Sequence, residues 1–178
     1  MKRILIATLI GLSALATGCT DTPGNPTPTP TTGASTPTSD AGNASGLDSV
    51  KPCDLLTSSD ASALGLTVPG EPEKVGVSDG CSWRVSGNGG LRAGIRTDAG
   101  VKDLNIEGSK VYEIKVGKYT ATKVEAHNGA KPTCSIFIGV TEKSSISVLA
   151  TLKLTSEDTA AACERATKAA DLIAPKLP

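Results

Sequence analysis

Residues 134–152 have the sequence CSIFIGVTEKSSISVLATL, in which apolar residues alternate with other residues in two separate runs. The alternating positions are Cys134, Ile136, Ile138 and Val140 in the first run, and Ile146, Val148, Ala150 and Leu152 in the second. A period of two is typical of a strand with one buried face. The segment Glu142-Lys143-Ser144 between the runs predicts a hairpin. The stretch therefore indicates an antiparallel sheet that carries its core on one side.

Four segments on the N-terminal side predict further strands. They are residues 80–86, 91–96, 110–116 and 119–126. In residues 80–86 (GCSWRVS), Cys81 and Trp83 share one face and Arg84 lies on the other. The glycine-rich segment 87–90 predicts the turn of a hairpin. With residues 69–76 expected to form a loop, the sequence predicts about six strands.

Two short helices are predicted before and within this run of strands. Thr57 and Asp60 form a variant of the capping box, so a helix should begin after Thr57. Gly65 is placed to end it. Residues 101–106 predict a second short helix.

The C-terminal segment predicts the longest helix of the domain. Thr155 is its expected cap and Pro175 its expected end. The stripe of small and apolar side chains on one side consists of Cys163, Ala166, Ala170 and Ile173. The predicted fold class is α+β: an antiparallel sheet of about six strands, with an N-terminal short helix and a C-terminal helix packed on one face.

The N-terminus, MKRILIATLIGLSALATGC, has the pattern of a secretory signal. Its apolar run of thirteen residues at 4–16 is shorter than the about 20 residues that a membrane-spanning helix needs. The segment Leu15-Ala16-Thr17-Gly18-Cys19 is similar to a bacterial lipobox, in which the cysteine is lipidated and becomes the new N-terminus. We therefore expect Cys19 to anchor the protein to the outer face of the cell membrane. A strict lipobox has leucine at the position of Ala16, so an ordinary signal peptide cleaved nearby is the alternative.

Residues 20–50 consist mainly of Thr, Pro, Ser, Gly and Asp. A segment of this composition buries too little apolar surface to fold, so we expect a disordered tether. The chain is thus divided into a signal peptide at 1–18, the lipidated Cys19 and tether at 19–50, and a single α+β domain at 51–178.

The cysteines predict two disulfides. The chain has five, and lipidation of Cys19 leaves four, which allow three pairings. Cys134 lies on the apolar face of its predicted strand and Cys163 on the apolar stripe of the last helix, so this pair would join helix to sheet. Cys53 and Cys81 would join the first helix to the sheet. A metal site would need close cysteine pairs or several histidines, and none is predicted, nor any cofactor.

The polar residues offer few candidates for chemistry. The net charge is zero, with 18 basic and 18 acidic residues, and gives no indication of nucleic-acid binding. His127, the only histidine, is predicted to be a solvated loop residue rather than a catalytic base. Asp98 and Asp103 are candidate acids for a hydrolase, although exposed helix charges are the commoner role of such residues.

Three arginines share the outer face of the first predicted hairpin. They are Arg84, Arg92 and Arg96. They are candidates for contact with an anionic partner, such as a wall polymer or lipid headgroups. The alternative is a solvated face without a ligand.

Several short pieces of the chain resemble one family. The pieces are residues 51–57 (KPCDLLT), Gly65, residues 80–83 (GCSW), Cys134 and Cys163. Together they resemble the actinobacterial lipoproteins grouped as "domain of unknown function 3558", over about residues 50–178. The resemblance implies an envelope lipoprotein of a Gram-positive actinobacterium, and it brings no catalytic residue and no substrate.

The sequence as a whole predicts a cell-surface lipoprotein whose domain binds a ligand or an envelope partner and is not an enzyme. One alternative is a hydrolase or transferase that acts on envelope polymers. Another is a structural accessory subunit of a membrane complex.

Overall fold

The computed structural model describes residues 45–178; the predicted signal peptide, Cys19 and the tether up to residue 44 lie outside that range. The strands are β1 Glu71–Val75, β2 Ser78–Arg84, β3 Gly90–Arg96, β4 Lys110–Val116, β5 Tyr119–Glu125, β6 Thr133–Thr141 and β7 Ser144–Thr151. The helices are α1 Ser58–Ala63 and α2 Thr159–Ile173, and short 3-10 turns lie at Pro52–Leu55, Val101–Asp103, His127–Gly129 and Ala174–Lys176. The strands form one antiparallel sheet in the order β1-β2-β3-β7-β6-β5-β4. The predicted antiparallel sheet and C-terminal helix are confirmed.

The hairpin of residues 134–152 forms the centre of the sheet. In the register of β6 and β7, Ile136 lies opposite Val148 and Cys134 opposite Ala150. All four side chains are fully buried. Helix α2 packs against these two strands. The alternation that predicts the strands therefore also defines the face that the helix covers.

Helix α2 begins later than predicted. Asp158 is its N-cap, because the carboxylate accepts a hydrogen bond from Ala161 N at 2.9 Å. Thr155 does not cap it; it lies in a turn closed by the bond from Ser156 N to Lys153 O. The buried stripe is Ala162, Cys163, Ala166, Ala169, Ala170 and Ile173. It contains all four predicted positions, and its alanines let the helix approach the sheet closely.

Two disulfides join the helical segments to the sheet. Cys53 is bonded to Cys81, and Cys134 is bonded to Cys163, as the predicted side-chain directions indicate. The first links the 3-10 turn Pro52–Leu55 to β2, and the second links α2 to β6. Cys81, Cys134 and Cys163 belong to the hydrophobic core, and Cys53 packs against it.

The sheet has seven strands rather than six, because residues 71–75 form β1 where a loop was predicted. All five residues of β1 are exposed. An edge strand without a buried face has no alternation of apolar residues, so the pattern that identifies the other strands is missing. Pro72 also makes the sequence of residues 71–75 look unlike a strand, although proline is tolerated in an edge strand.

Two further predictions are corrected. The expected helix at 101–106 is only the 3-10 turn Val101–Asp103. Residues 45–50, predicted to belong to the tether, pack with the domain: Leu47 is 1% exposed, and Ser144 Oγ donates a hydrogen bond to Ser45 O. A single leucine within a polar segment supplies no periodic signal, so the sequence places the start of the domain too late. No helix within residues 45–178 is long and apolar enough to cross a membrane.

Asp60 connects α1 to the C-terminus of the chain. With Thr57 it forms the predicted capping box, in which Thr57 N donates to the Asp60 carboxylate at 3.0 Å. Lys176 Nζ donates to the same carboxylate at 2.6 Å and to Leu55 O at 2.8 Å. The hydrogen bonds from Lys176 and Thr57 lower the pKa of Asp60 from 3.8 to about 2.

We expect Asp60→Asn to lower the free energy of unfolding by about 1 kcal/mol at pH 7, because it removes the charged partner of Lys176. The pKa of Asp60 is lower in the folded domain than in the unfolded chain. The carboxylate therefore stabilises the fold fully above about pH 4, and this contribution is lost as the pH falls through about 2. Denaturant unfolding at pH 7 and pH 2.5 should show the difference between wild type and variant shrinking in acid.

The matched control is Asp54→Asn, since Asp54 is exposed and has no ion pair within residues 45–178. It should leave the stability at pH 7 unchanged. An equal loss for Asp60→Asn at both pH values would contradict the electrostatic explanation.

Candidate functional site

The two faces of the sheet differ in what covers them. On one face, Cys81, Ala93 and Val148 follow each other across β2, β3 and β7, and all are fully buried beneath the helical segments. On the other face, Ser82, Arg92 and Leu149 follow each other across the same strands, and all are partly exposed. We call this second face the arginine face, because the alternation along β2 and β3 places Arg84, Arg92 and Arg96 on it.

A crossing segment, residues 97–109, covers part of the arginine face on its way from β3 to β4. Ser145 Oγ on β7 donates to Ala99 O at 2.9 Å. Further along, Val101 lies against Gly139 of β6, and Gly108 lies against Val124 of β5. The side of the face formed by β1, β2, β3 and the end of β7 is left uncovered by this segment.

Arg92 lies flat on two glycines in the uncovered region. Gly80 and Gly94 are opposite each other in the ladder between β2 and β3. A Cβ atom on Gly94 would lie 2.3 Å from Arg92 Nη1, and one on Gly80 would lie 2.6 Å from Arg92 Nη2. Glycine at both positions therefore leaves the space that the guanidinium occupies, and the Arg92 side chain is only 15% exposed.

Arg92 is held by partners on β1 and β2. Its Nε lies 3.2 Å from the Glu73 carboxylate, and its Nη2 donates to Ser78 O at 3.2 Å. Ser82 Oγ donates to the same Glu73 carboxylate. This network fixes the orientation of the guanidinium and leaves the Glu73 side chain 44% exposed.

Within residues 45–178, a buried hydroxyl near Arg92 has no hydrogen-bond partner. Ser78 Oγ is buried and forms no hydrogen bond with any residue in 45–178. A Cβ atom on Gly94 would lie 2.7 Å from Ser78 Oγ and 2.7 Å from Ser147 Oγ. The same Cβ position is 2.3 Å from Arg92 Nη1. Three polar groups thus gather at one point on the sheet. Because Ser78 Oγ is buried, it belongs to the packing around the Arg92 guanidinium and not to a surface that a ligand can reach.

Arg92, Glu73 and Ser82 border a shallow groove of about 330 Å³, which we call the Arg92 groove. Its side chains are Glu73, Ser82, Arg84, Arg92, Leu149 and Thr151. The polar side chains among them supply hydrogen-bond donors and acceptors, and Leu149 supplies an apolar contact. The groove is open to solvent, so it could hold part of an extended molecule.

The three arginines are brought to one face, but each lies beside a carboxylate. Arg84 lies 3.9 Å from Glu71 and both are largely exposed, while Arg96 lies 2.8 Å from Asp98. Arg84 borders the Arg92 groove, whereas Arg96 stands at the opposite end of β3. The charge on this face is therefore balanced rather than strongly positive.

The candidate acids Asp98 and Asp103 are engaged in local contacts. The hydrogen bond from Arg96 lowers the pKa of Asp98. Asp103 accepts a hydrogen bond from Gly100 N at 3.0 Å and so closes the 3-10 turn Val101–Asp103. Neither carboxylate borders the Arg92 groove.

His127 is half-buried, which corrects its prediction as a solvated loop residue. Its Nδ1 lies 2.8 Å from Ser135 Oγ, and its ring meets Phe137 edge-on at a centroid distance of 5.5 Å. Burial lowers the pKa of His127. The contact was missed because it depends on how the turn at 126–130 folds back over β6. Ser135 is 1% exposed, so this pair is not open to a substrate.

Within residues 45–178, no group of three or more His, Cys, Asp or Glu side chains is arranged to hold a metal ion.

The family described as Protein of unknown function (DUF3558) matches residues 14–176. The chain belongs to this family. The match spans both disulfides, all seven strands and both helices. A search of curated proteins found no match, and a search of solved structures found none.

Proposed function

We propose that this DUF3558 protein is a lipid-anchored protein on the outer face of an actinobacterial cell membrane. In this proposal its domain binds a polar polysaccharide of the envelope in the Arg92 groove and catalyses no reaction. The lipobox-like sequence at Cys19 supports the location. Two disulfides in the domain also support it, since disulfides persist in exported proteins.

The observation that carries the binding proposal is the Glu73–Arg92 pair, which is fixed on Gly80 and Gly94 and borders an open groove together with Ser82. Sugar hydroxyls both donate and accept hydrogen bonds, so they suit a groove lined by a guanidinium, a carboxylate and the hydroxyls of Ser82 and Thr151. The apolar patch at Leu149 suits the less polar face of a sugar ring.

The balanced charge favours a neutral polar ligand over a polyanion. Each arginine on the face already has a carboxylate partner, which an anionic ligand would have to displace. An anion that approached Arg92 would also meet the Glu73 carboxylate, which lies 3.2 Å from Nε, and the repulsion between these like charges would oppose anion binding.

The test is co-sedimentation of the membrane-derived protein with insoluble wall polysaccharide, after its intact mass has been checked for a diacylglyceryl group on Cys19. We expect Arg92→Gln to weaken binding about tenfold, because a hydrogen bond from a charged group is lost. The matched control is Lys168→Gln on the exposed side of α2, which should bind like wild type. Thermal unfolding of each variant checks that the fold is kept.

Salt distinguishes the ligand classes. Binding of a neutral polysaccharide should change little between 50 and 200 mM salt, whereas binding that depends on ion pairs with a polyanion should fall steeply. The absence of binding by folded wild-type protein, or equal binding by Arg92→Gln, would contradict the groove proposal. A Cys19 without lipid would contradict the anchor.

A further inference from the structure

The two edges of the sheet are guarded differently. Edge strand β1 has five residues and carries Pro72 in its second position, and proline on an edge blocks pairing with another strand. The opposite edge strand, β4 (KVYEIKV), has seven residues and no proline. On β4, Val111 is 50% exposed and Tyr112 is 38% exposed. Of the two sheet edges formed within residues 45–178, the β4 edge is therefore the one that can accept a further strand.

The backbone groups of β4 that face outward can be assigned. β4 and β5 are joined by the two-residue turn Gly117-Lys118, with Val116 opposite Tyr119. In such a hairpin the two residues that flank the turn form a hydrogen-bonded pair. Along the strands, hydrogen-bonded pairs then alternate with non-hydrogen-bonded pairs. Val116, Ile114 and Tyr112 therefore bond to β5. The N–H and C=O groups of Val111, Glu113 and Lys115 point away from the sheet.

We infer that β4 pairs antiparallel with β4 of a second copy of this chain, with the twofold axis passing between the two Ile114 residues. In this register Glu113 of each copy lies opposite Lys115 of the other, so two opposite-charge pairs form. Tyr112 lies opposite Val116, and Ile114 lies opposite Ile114. Cross-strand pairs of these kinds stabilise sheets.

Charge selects this register over its neighbours. If the axis passed through Glu113, the two Glu113 carboxylates would stand directly opposite each other, which is destabilising. If it passed through Tyr112, Glu113 would meet Val111 and Lys115 would meet Ser109, so neither charge would gain a partner. Only the register centred on Ile114 matches each exposed charge at the centre of β4 with its opposite.

The pairing would join two seven-stranded sheets into one continuous sheet. Because the axis is perpendicular to the sheet, both copies of α2 would lie on one side and both arginine faces on the other. The inference does not depend on the proposed ligand, since β4 is at the opposite edge from β1 and the Arg92 groove.

The test uses charge reversal at β4, measured by sedimentation of the full-length mature chain in detergent over a range of protein concentrations. Wild type should show a reversible dimer. Lys115→Glu and Glu113→Lys should each raise the dissociation constant at least about tenfold, because two attractive pairs become repulsive. The double exchange Glu113→Lys with Lys115→Glu should restore the dimer. Lys143→Glu, in the exposed turn between β6 and β7, is the control and should dimerise like wild type.

Cysteine crosslinking tests the register separately. In the proposed register the two Ile114 residues form a non-hydrogen-bonded pair. The Cα atoms of such a pair are about 4.5 Å apart, a distance that a disulfide can span. Ile114→Cys should therefore form a covalent dimer under mild oxidation, and Tyr112→Cys should not. A monomeric wild type, a dimer insensitive to Lys115→Glu, failure of the double exchange to restore dimerisation, or crosslinking through Tyr112→Cys alone would overturn the inference.

Discussion

Replacing Cys134 and Cys163 together by alanine is expected to lower the free energy of unfolding by about 3–4 kcal/mol. The disulfide closes a loop with a sequence separation of 29 residues, and its removal frees that loop in the unfolded chain. The bond also holds α2 on β6, where most of the buried helix side chains are alanines that remove little apolar surface from water. The loss is a large part of the 5–15 kcal/mol that stabilises a typical domain.

Denaturant unfolding of the double variant under non-reducing conditions measures this loss. The matched comparison is Cys53→Ala with Cys81→Ala, whose loop has a sequence separation of 28 residues. Loop closure predicts nearly equal losses for the two pairs. A loss below about 1 kcal/mol for Cys134 and Cys163 would show that packing alone holds α2 on the sheet.

The sequence predicts this disulfide because two independent periodicities point to one core. Cys134 is in phase with the alternation of β6, and Cys163 is in phase with the buried stripe of α2. Both patterns arise from burial, so they identify side chains that converge on one interior. The central hairpin and the faces of β2 and β3 were predictable for the same reason.

The sequence predicts the arginines of the candidate site but not their partners. The alternation of β3 places Arg92 on the outer face, but its carboxylate partner Glu73 is on β1. β1 has no buried side chain, so its sequence shows no alternation of apolar residues. The strand is therefore not predicted, and neither are the ion pairs that its side chains form. The flat seat of Arg92 on Gly80 and Gly94 depends on the register between β2 and β3, which a glycine pattern alone does not reveal.

Gly89→Ala is expected to lower the free energy of unfolding by about 3–4 kcal/mol, through a combination of backbone strain and steric clash. Gly89 has a φ of +71°, and a Cβ atom there would lie 2.0 Å from Thr151 O. This carbonyl belongs to the backbone of β7 and accepts a hydrogen bond from Arg165 Nη1 at 3.1 Å. The same Arg165 atom donates to Asn88 O at 3.1 Å, so the turn between β2 and β3 is held against β7 and α2.

Gly87→Ala separates the two contributions. Gly87 lies in the same turn with a φ of +68°, but nothing lies within 4 Å of its Cβ position. Its replacement should cost about 1–2 kcal/mol, which is the strain of a left-handed backbone alone. The difference between the two variants in denaturant unfolding then measures the contact with Thr151. Equal losses would mean that the turn moves away from β7 at little cost, and the Arg165 bridge would then contribute little to the position of the turn beside the Arg92 groove.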